Sequence, residues 1–284
     1  MDIDGFSVRT DLADEAQRLW LGTAGDKSIP EGVKAETKDY YGFELCCVDI
    51  TSRAGEAALK KPMGKYYCLS LPKHFSRGCG DFHRMVQALA ELIRNLSHGK
   101  TENVFIAALG NPKISPDALG HCTADHILVS RHLEGNVFSG LSSVSLCRPG
   151  VLGCSGMESA LQVKKLCELV EPDLIIAVDA LAGSEPERLC RCIQLSDTGI
   201  SPGSGVGNDR QELSRASLSV PVISIGMPTV IDAGHFGHGA MSKMFVTPRD
   251  IDLRVKEAGR LIAYAINIAI HQGLSIEDVD GLIN

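Results

Sequence analysis

Hydrophobic and polar positions along the chain alternate between two grammars. Short apolar runs at 43–50 (FELCCVDI) and 66–71 (YYCLSL) read as strands, punctuated by Gly64 and Pro72, and the two are expected to pair. From 81 to 96, Met85, Leu89, Leu92, Ile93 and Leu96 recur at helical spacing behind Asp81, a candidate N-cap. The wholly apolar run 104–109 (VFIAAL) follows, as expected of a strand buried on both faces of a parallel sheet. The same order recurs with a helical pattern over 157–170, then Pro172, then a buried strand over 174–178 that ends at Asp179. Further strands are expected at 127–130, 191–195 and 220–225, and a long helix over 253–271. The first forty residues offer one short helix, from 13 to 21, and read as a peripheral extension. Alternating helices and apolar strands predict an α/β fold, a mainly parallel central sheet flanked by helices in a three-layer sandwich with small β additions.

Composition narrows the class. With 284 residues, 44% of them hydrophobic and 22% charged, the chain can bury a large core, which excludes a disordered tail. The net charge is −7 and the lysines and arginines are scattered, so no basic face for nucleic acid is visible. No apolar run reaches the length of about 18 residues that a membrane helix requires. The ten cysteines form no C-x-x-C pair, and the polar, acidic start MDIDGFSVRTDLADEA lacks the apolar stretch of a secretory leader. Free thiols in a reducing compartment, most of them buried as small hydrophobes, are the expectation.

In open α/β sheets reactive groups gather beyond the carboxyl ends of strands. Two acidic residues are expected there, Asp117 in the loop LGNPKISPDALG and Asp179 in LIIAVDALAGS. A carboxylate so placed must find partners or stay protonated, and the structural alternative is that Asp179 caps a turn or pairs with a base. Two carboxylates in one cleft have their affinities for protons pushed apart, so one can take a proton from water while the other donates to a peptide bond. Asp49, in VDITS, is a third candidate whose context reads more plainly as an Asx or ST turn. The Gly-rich segment SDTGISPGSGVGN includes Gly203, Ser204 and Gly205; it lacks the G-x-G-x-x-G and G-K-[ST] patterns and reads as a loop whose amides could line a substrate carbonyl or serve only structure. His121, His126, His132, His235 and His238 are available as metal ligands, but none forms an H-x-x-x-H pair on a clear helix. No G-x-S-x-G elbow is present, and Cys154 has no sequence-evident His partner.

Seven separated blocks carry a resemblance over nearly the whole chain: SVRTDLADEA, KPMGKYY, LGNPKISPDALG, PGVLGCSGMES, PDLIIAVDALA, IQLSDTGISPGSGVGNDRQELS and VPVISIGMPTVIDA. Together they resemble the germination proteases of spore-forming bacteria, atypical aspartic endopeptidases whose core is similar to that of hydrogenase maturation endopeptidases. The resemblance implies an enzyme that degrades small acid-soluble spore proteins during germination, acts in the spore core, and assembles as a homotetramer. It implies Asp117 and Asp179 as the catalytic pair, with Asp49 in a similar-looking motif outside that pair. It implies no cofactor and no metal, although the related hydrogenase maturation enzymes recognise nickel. It also implies a zymogen that cuts itself after an acidic residue and before a hydrophobic one, followed by Ala and further acidic residues. Thr10-Asp11-Leu12-Ala13-Asp14-Glu15 fits, so residues 1–11 are a candidate propeptide, Asp11–Leu12 the expected processing bond, and 12–284 a single peptidase domain. A metal-recognising endopeptidase and an inactive scaffold that binds spore proteins are the alternatives. The stretch DAGHFGHGA, with His235 and His238, departs from the family pattern and reads as a Gly-rich surface loop, with a metal role as the other reading.

Overall fold

A computed structural model describes residues 10–23, 29–133, 140–203, 211–233 and 244–283. In chain order, helix α1 (Ala13–Thr23) is followed by strands β1 (Val33–Tyr40) and β2 (Phe43–Ile50), helix α2 (Arg53–Leu59), strand β3 (Gly64–Ser70), helix α3 (Phe82–Ser97) and strand β4 (Asn103–Ala108). Then come α4 (Leu119–Ala124), β5 (Ser143–Cys147), α5 (Leu152–Ser155), α6 (Ser159–Val170), β6 (Leu174–Gly183) and β7 (Cys192–Ser196). Last are α7 (Arg215–Leu218), β8 (Val222–Asp232), β9 (Phe245–Val246), α8 (Ile251–Ile270) and α9 (Ile276–Ile283).

The strands form one mixed sheet in the order β1-β2-β3-β7-β8-β6-β4-β5, with β9 on β8. Its core, β5-β4-β6-β8, is parallel, and β7, β3, β2 and β1 extend it antiparallel. Strands β4 and β6 are apolar apart from Asn103 and Asp179, because both of their faces are covered. On one face α3, α4 and α8 bury a continuous core, in which Phe82 meets Tyr264 edge-on at 5.5 Å. The other face carries two separate clusters. One, built on Leu12, Val48, Tyr66 and Leu181, lies over the antiparallel half; the other, built on Phe105, Val163, Ile175 and Leu213, lies under α6. The catalytic candidates fall between them.

Several boundaries differ from the sequence expectation. The segment 127–130 is not a strand: Leu128 donates to the side chain of Asn267 on α8, whose amide returns a bond to the His126 carbonyl, and β5 takes the place beside β4. Strand β6 does not stop at Val178 but runs to Gly183, so Asp179 lies within it. The N-terminal region is not peripheral, since Leu12 and Ala13 are fully buried. Strand β1 escaped detection because it is an edge strand with four charged residues, joined to β2 by the two-residue turn Tyr41-Gly42, both with positive φ, as right-handed strand twist favours. Asp81 does stand before α3, yet its carboxylate pairs with Arg84 and makes no cap bond.

Candidate active site

Strand β4 ends opposite β6 at the pair Ala108–Val178, and Leu109 adds a last bond to the Val178 carbonyl at 2.8 Å. Asp179 is therefore the first β6 residue beyond the end of β4. There the chain leaving β4 turns at Gly110, whose φ of +96° suits glycine, and closes a tight loop. Asn111 donates its amide to the Asp117 carbonyl at 2.9 Å, and its side chain accepts from Lys113. A 3₁₀ turn, Ser115–Asp117, then delivers Asp117 to the same place. His121, one turn into α4, lies 3.1 Å from the Gly110 carbonyl through Nε2, and burial pushes its pKa below the usual imidazole value.

Asp117, half-buried, and Asp179, 4% exposed, line one open cleft of about 1560 Å³. Asp179 sits on the sheet face between the two separate clusters, and its Oδ1 accepts from the Ala180 amide at 2.9 Å. Opposite it on β8 is Gly226, and opposite Gly226 on β7 is Gln194. Registered residues share a face, so Gln194 and Asp179 stand on either side of a side-chain-free floor, about 10 Å apart at two inter-strand steps. A Cβ on Gly226 would fall 2.7 Å from the Asp179 carbonyl oxygen and 2.6 Å from Leu181 Cγ. Ser196, Thr198 and Ser224 add linked hydroxyls to the cleft wall.

The segment holding the expected processing bond lies in this cleft too. Asp11 donates its amide to the Ala182 carbonyl and accepts the Ala182 amide on Oδ2, each at 2.8 Å, where the β6–β8 register shifts. Glu15 accepts from the amide and hydroxyl of Ser184, and Asp14 pairs with Arg188. Lys61 lines the cleft near Asp11 and Glu15; burial pushes its ammonium pKa down, and these two carboxylates oppose the shift.

Other candidates scatter. Gly203 lines the cleft, whereas Ser204, Gly205, His235 and His238 lie outside the described residues. Asp49 is inside β2, opposite Lys34 and Lys65, away from the cleft lining; the turn chemistry expected of it belongs to Ser52, which caps α2 by accepting from Gly55. Among the described residues no group of three or more His, Cys, Asp and Glu side chains is arranged to hold a metal. All ten cysteines are free. No described helix is long and apolar enough to cross a membrane. Sequence reasoning missed Gln194, Lys61 and Arg188. A glutamine inside the apolar strand CIQLS was the available signal, because a buried polar group demands a partner.

Known proteins match this arrangement along its length. A family model described as germination protease matches residues 10–242. A germination protease of Caldanaerobacter subterraneus subsp. tengcongensis is 34% identical over 98% of this chain and 99% of its own. One from Clostridium perfringens strain 13 is 32% identical over 98% and 100%, and one from Bacillus cereus strain G9842 is 36% identical over 92% and 70%. The chain that carries Asp117 and Asp179 into one cleft thus belongs to the germination protease family.

Proposed function

We propose that this protein is a self-processing aspartic endopeptidase that degrades small acid-soluble spore proteins during germination, with Asp117 and Asp179 activating water against the peptide bond. The observation that carries the reading is the convergence of the two carboxylates, from separate segments, on a cleft that also holds Asp11. One carboxylate of the pair takes a proton from the attacking water; the other, protonated, gives one to the departing nitrogen. The roles of base and acid belong to the dyad and are not divided between its members. No metal takes part in this scheme. Cutting Asp11–Leu12 releases residues 1–11 and converts a zymogen to the mature enzyme. The same resemblance supports a homotetramer acting in the spore core.

Intact-mass measurement on the full chain tests the proposal, with a purified small acid-soluble spore protein added in parallel. The wild type should lose residues 1–11 and cut the substrate before hydrophobic residues, and Asp117→Asn and Asp179→Asn should each stop both reactions. Cleavage that survives in either variant refutes the dyad. Cleavage that vanishes on chelation and returns with nickel supports the metal-recognising alternative, and association without any cut supports a scaffold.

A further inference from the structure

The carboxamide of Gln194 spans the expected processing bond. Its Nε2 donates to the Asp11 carbonyl oxygen at 3.0 Å, and its Oε1 accepts from the Ala13 amide at 2.8 Å. The opposite amide orientation would set two N–H donors against each other and two acceptors against each other, so this one is fixed. Gln194 is itself only 7% exposed and Leu12 is fully buried, so these bonds form away from bulk water, where a fixed donor has its largest effect. The way residue 11 docks turns its carbonyl toward this contact. The Ala182 amide, which a ladder would give to a main-chain carbonyl, is taken by the Asp11 side chain. An acidic side chain at this position thus leaves the carbonyl of its own peptide group turned to Gln194.

We infer that Gln194 is a further catalytic residue, the donor that holds the scissile carbonyl and stabilises the negative charge developing on its oxygen. The inference rests on the reading of Asp11–Leu12 as the processing bond. Water attacks the Asp11 carbonyl carbon and gives a proton to the ionised carboxylate of the dyad. The carbonyl π pair moves to the oxygen held by the Gln194 N–H. Collapse restores the C=O and breaks the bond to the Leu12 nitrogen, which takes a proton from the protonated carboxyl group. The products are the Asp11 carboxylate and a new Leu12 amino terminus.

The test compares self-cleavage rates of the full chain, by intact mass, for the wild type, Gln194→Met and Gln194→Glu. Methionine keeps the length and removes both bonds; glutamate keeps the acceptor for Ala13 and removes the donor. Hydrogen exchange at the Ala13 amide, measured in chains that also carry Asp179→Asn so that the segment stays intact, reports whether residues 10–15 remain seated. Both variants should slow by about 10²–10³-fold, the loss expected on removing one oxyanion donor, with Ala13 still protected in Gln194→Glu. A Gln194→Glu chain that cuts within about threefold of the wild-type rate overturns the inference. So does one that slows only because Ala13 protection is lost, since Gln194 would then merely seat the segment. A wild-type chain that never cuts at Asp11–Leu12 overturns the processing reading and this inference with it, whereas a cutting wild type with an equally fast Gln194→Glu overturns the role of Gln194 alone.

Discussion

Gly110 packs directly on the main chain of Asp117: a Cβ at position 110 would lie 2.0 Å from the Asp117 carbonyl oxygen and 3.3 Å from its Oδ1. Backbone, not a flexible side chain, fills the space, and the positive φ adds strain for any other residue. Gly110→Ala should therefore displace the loop that carries Asp117. The expected outcome is a self-cleavage rate at least about tenfold lower, in keeping with the cost of small misplacements at a reacting centre. Urea unfolding of the same variant should retain a single transition. An unchanged rate would mean that Asp117 does not depend on this turn.

Lys61 lines the cleft near Asp11, the acidic residue before the proposed processing bond. Its half-buried side chain lies near Asp11 and Glu15 in the cleft, where a charge is worth more than at the open surface. Lys61→Met should slow processing of the native segment and change little when Asp11 is already Asn. A double-mutant cycle on the rate constants should give a coupling of about 0.5–3 kcal/mol, the range for residues coupled through a shared cavity. Additive effects would remove Lys61 from recognition.

Asp14 and Arg188 form a pair whose side chains are 1% and 13% exposed, and Arg188 also donates to the Cys68 sulfur at 2.8 Å. Removing Arg188 leaves the buried Asp14 carboxylate with Arg18 alone, at 3.3 Å and on a side chain 41% exposed. Arg188→Met should destabilise the fold, by less than the about 3–5 kcal/mol of a buried charge left wholly unpaired, because Arg18 still reaches Asp14. Adding Asp14→Leu should restore part of it, because an apolar pair replaces a buried carboxylate held only by the half-exposed Arg18, which keeps Glu185 as its partner. Chemical denaturation of the single and double variants checks both steps. Since Asp14 follows the processing bond by only two residues, the single variant should also loosen the segment and raise hydrogen exchange at Ala13.

Much of the parallel core was legible in the chain because burial on both faces writes uninterrupted apolar runs such as those of β4 and β6. Asp179 was legible for a related reason, since a carboxylate beside such a run stands out, whereas Asp117 stood out by its place in the loop that follows β4. Strand β1 was hidden because an edge strand with a wet face carries Lys34, Glu36, Lys38 and Asp39, a composition also found in loops. The N-terminal segment was read as peripheral because its burial is non-local. Leu12 packs with Leu181 and Tyr66, and Asp14 and Glu15 are held by residues about 170 positions away. Gln194 has the same character: its partners are Asp11 and Ala13, and no local pattern announces them.

His271 ends α8 at 1% exposure, with Nε2 3.4 Å from the Leu128 carbonyl and Nδ1 without a hydrogen-bond partner among the described residues. Burial pushes its pKa below 6.5, only partly opposed by the bond to Leu128. As pH falls through 6.5 the unfolded chain takes up the proton before the folded one does. The stability contributed by the neutral ring is therefore complete above pH 6.5 and is lost as pH falls below it. His121 and His126, half-buried and shifted the same way chiefly by burial, add to the slope. Urea midpoints measured from pH 7.5 down to about 5 should decline for the wild type. His271→Gln, which can still donate to Leu128 and cannot be charged, should flatten part of that decline and leave the share due to His121 and His126. An identical pH slope in His271→Gln would show that the ring titrates in the folded state as it does in the unfolded chain, and would leave the acid sensitivity to other groups.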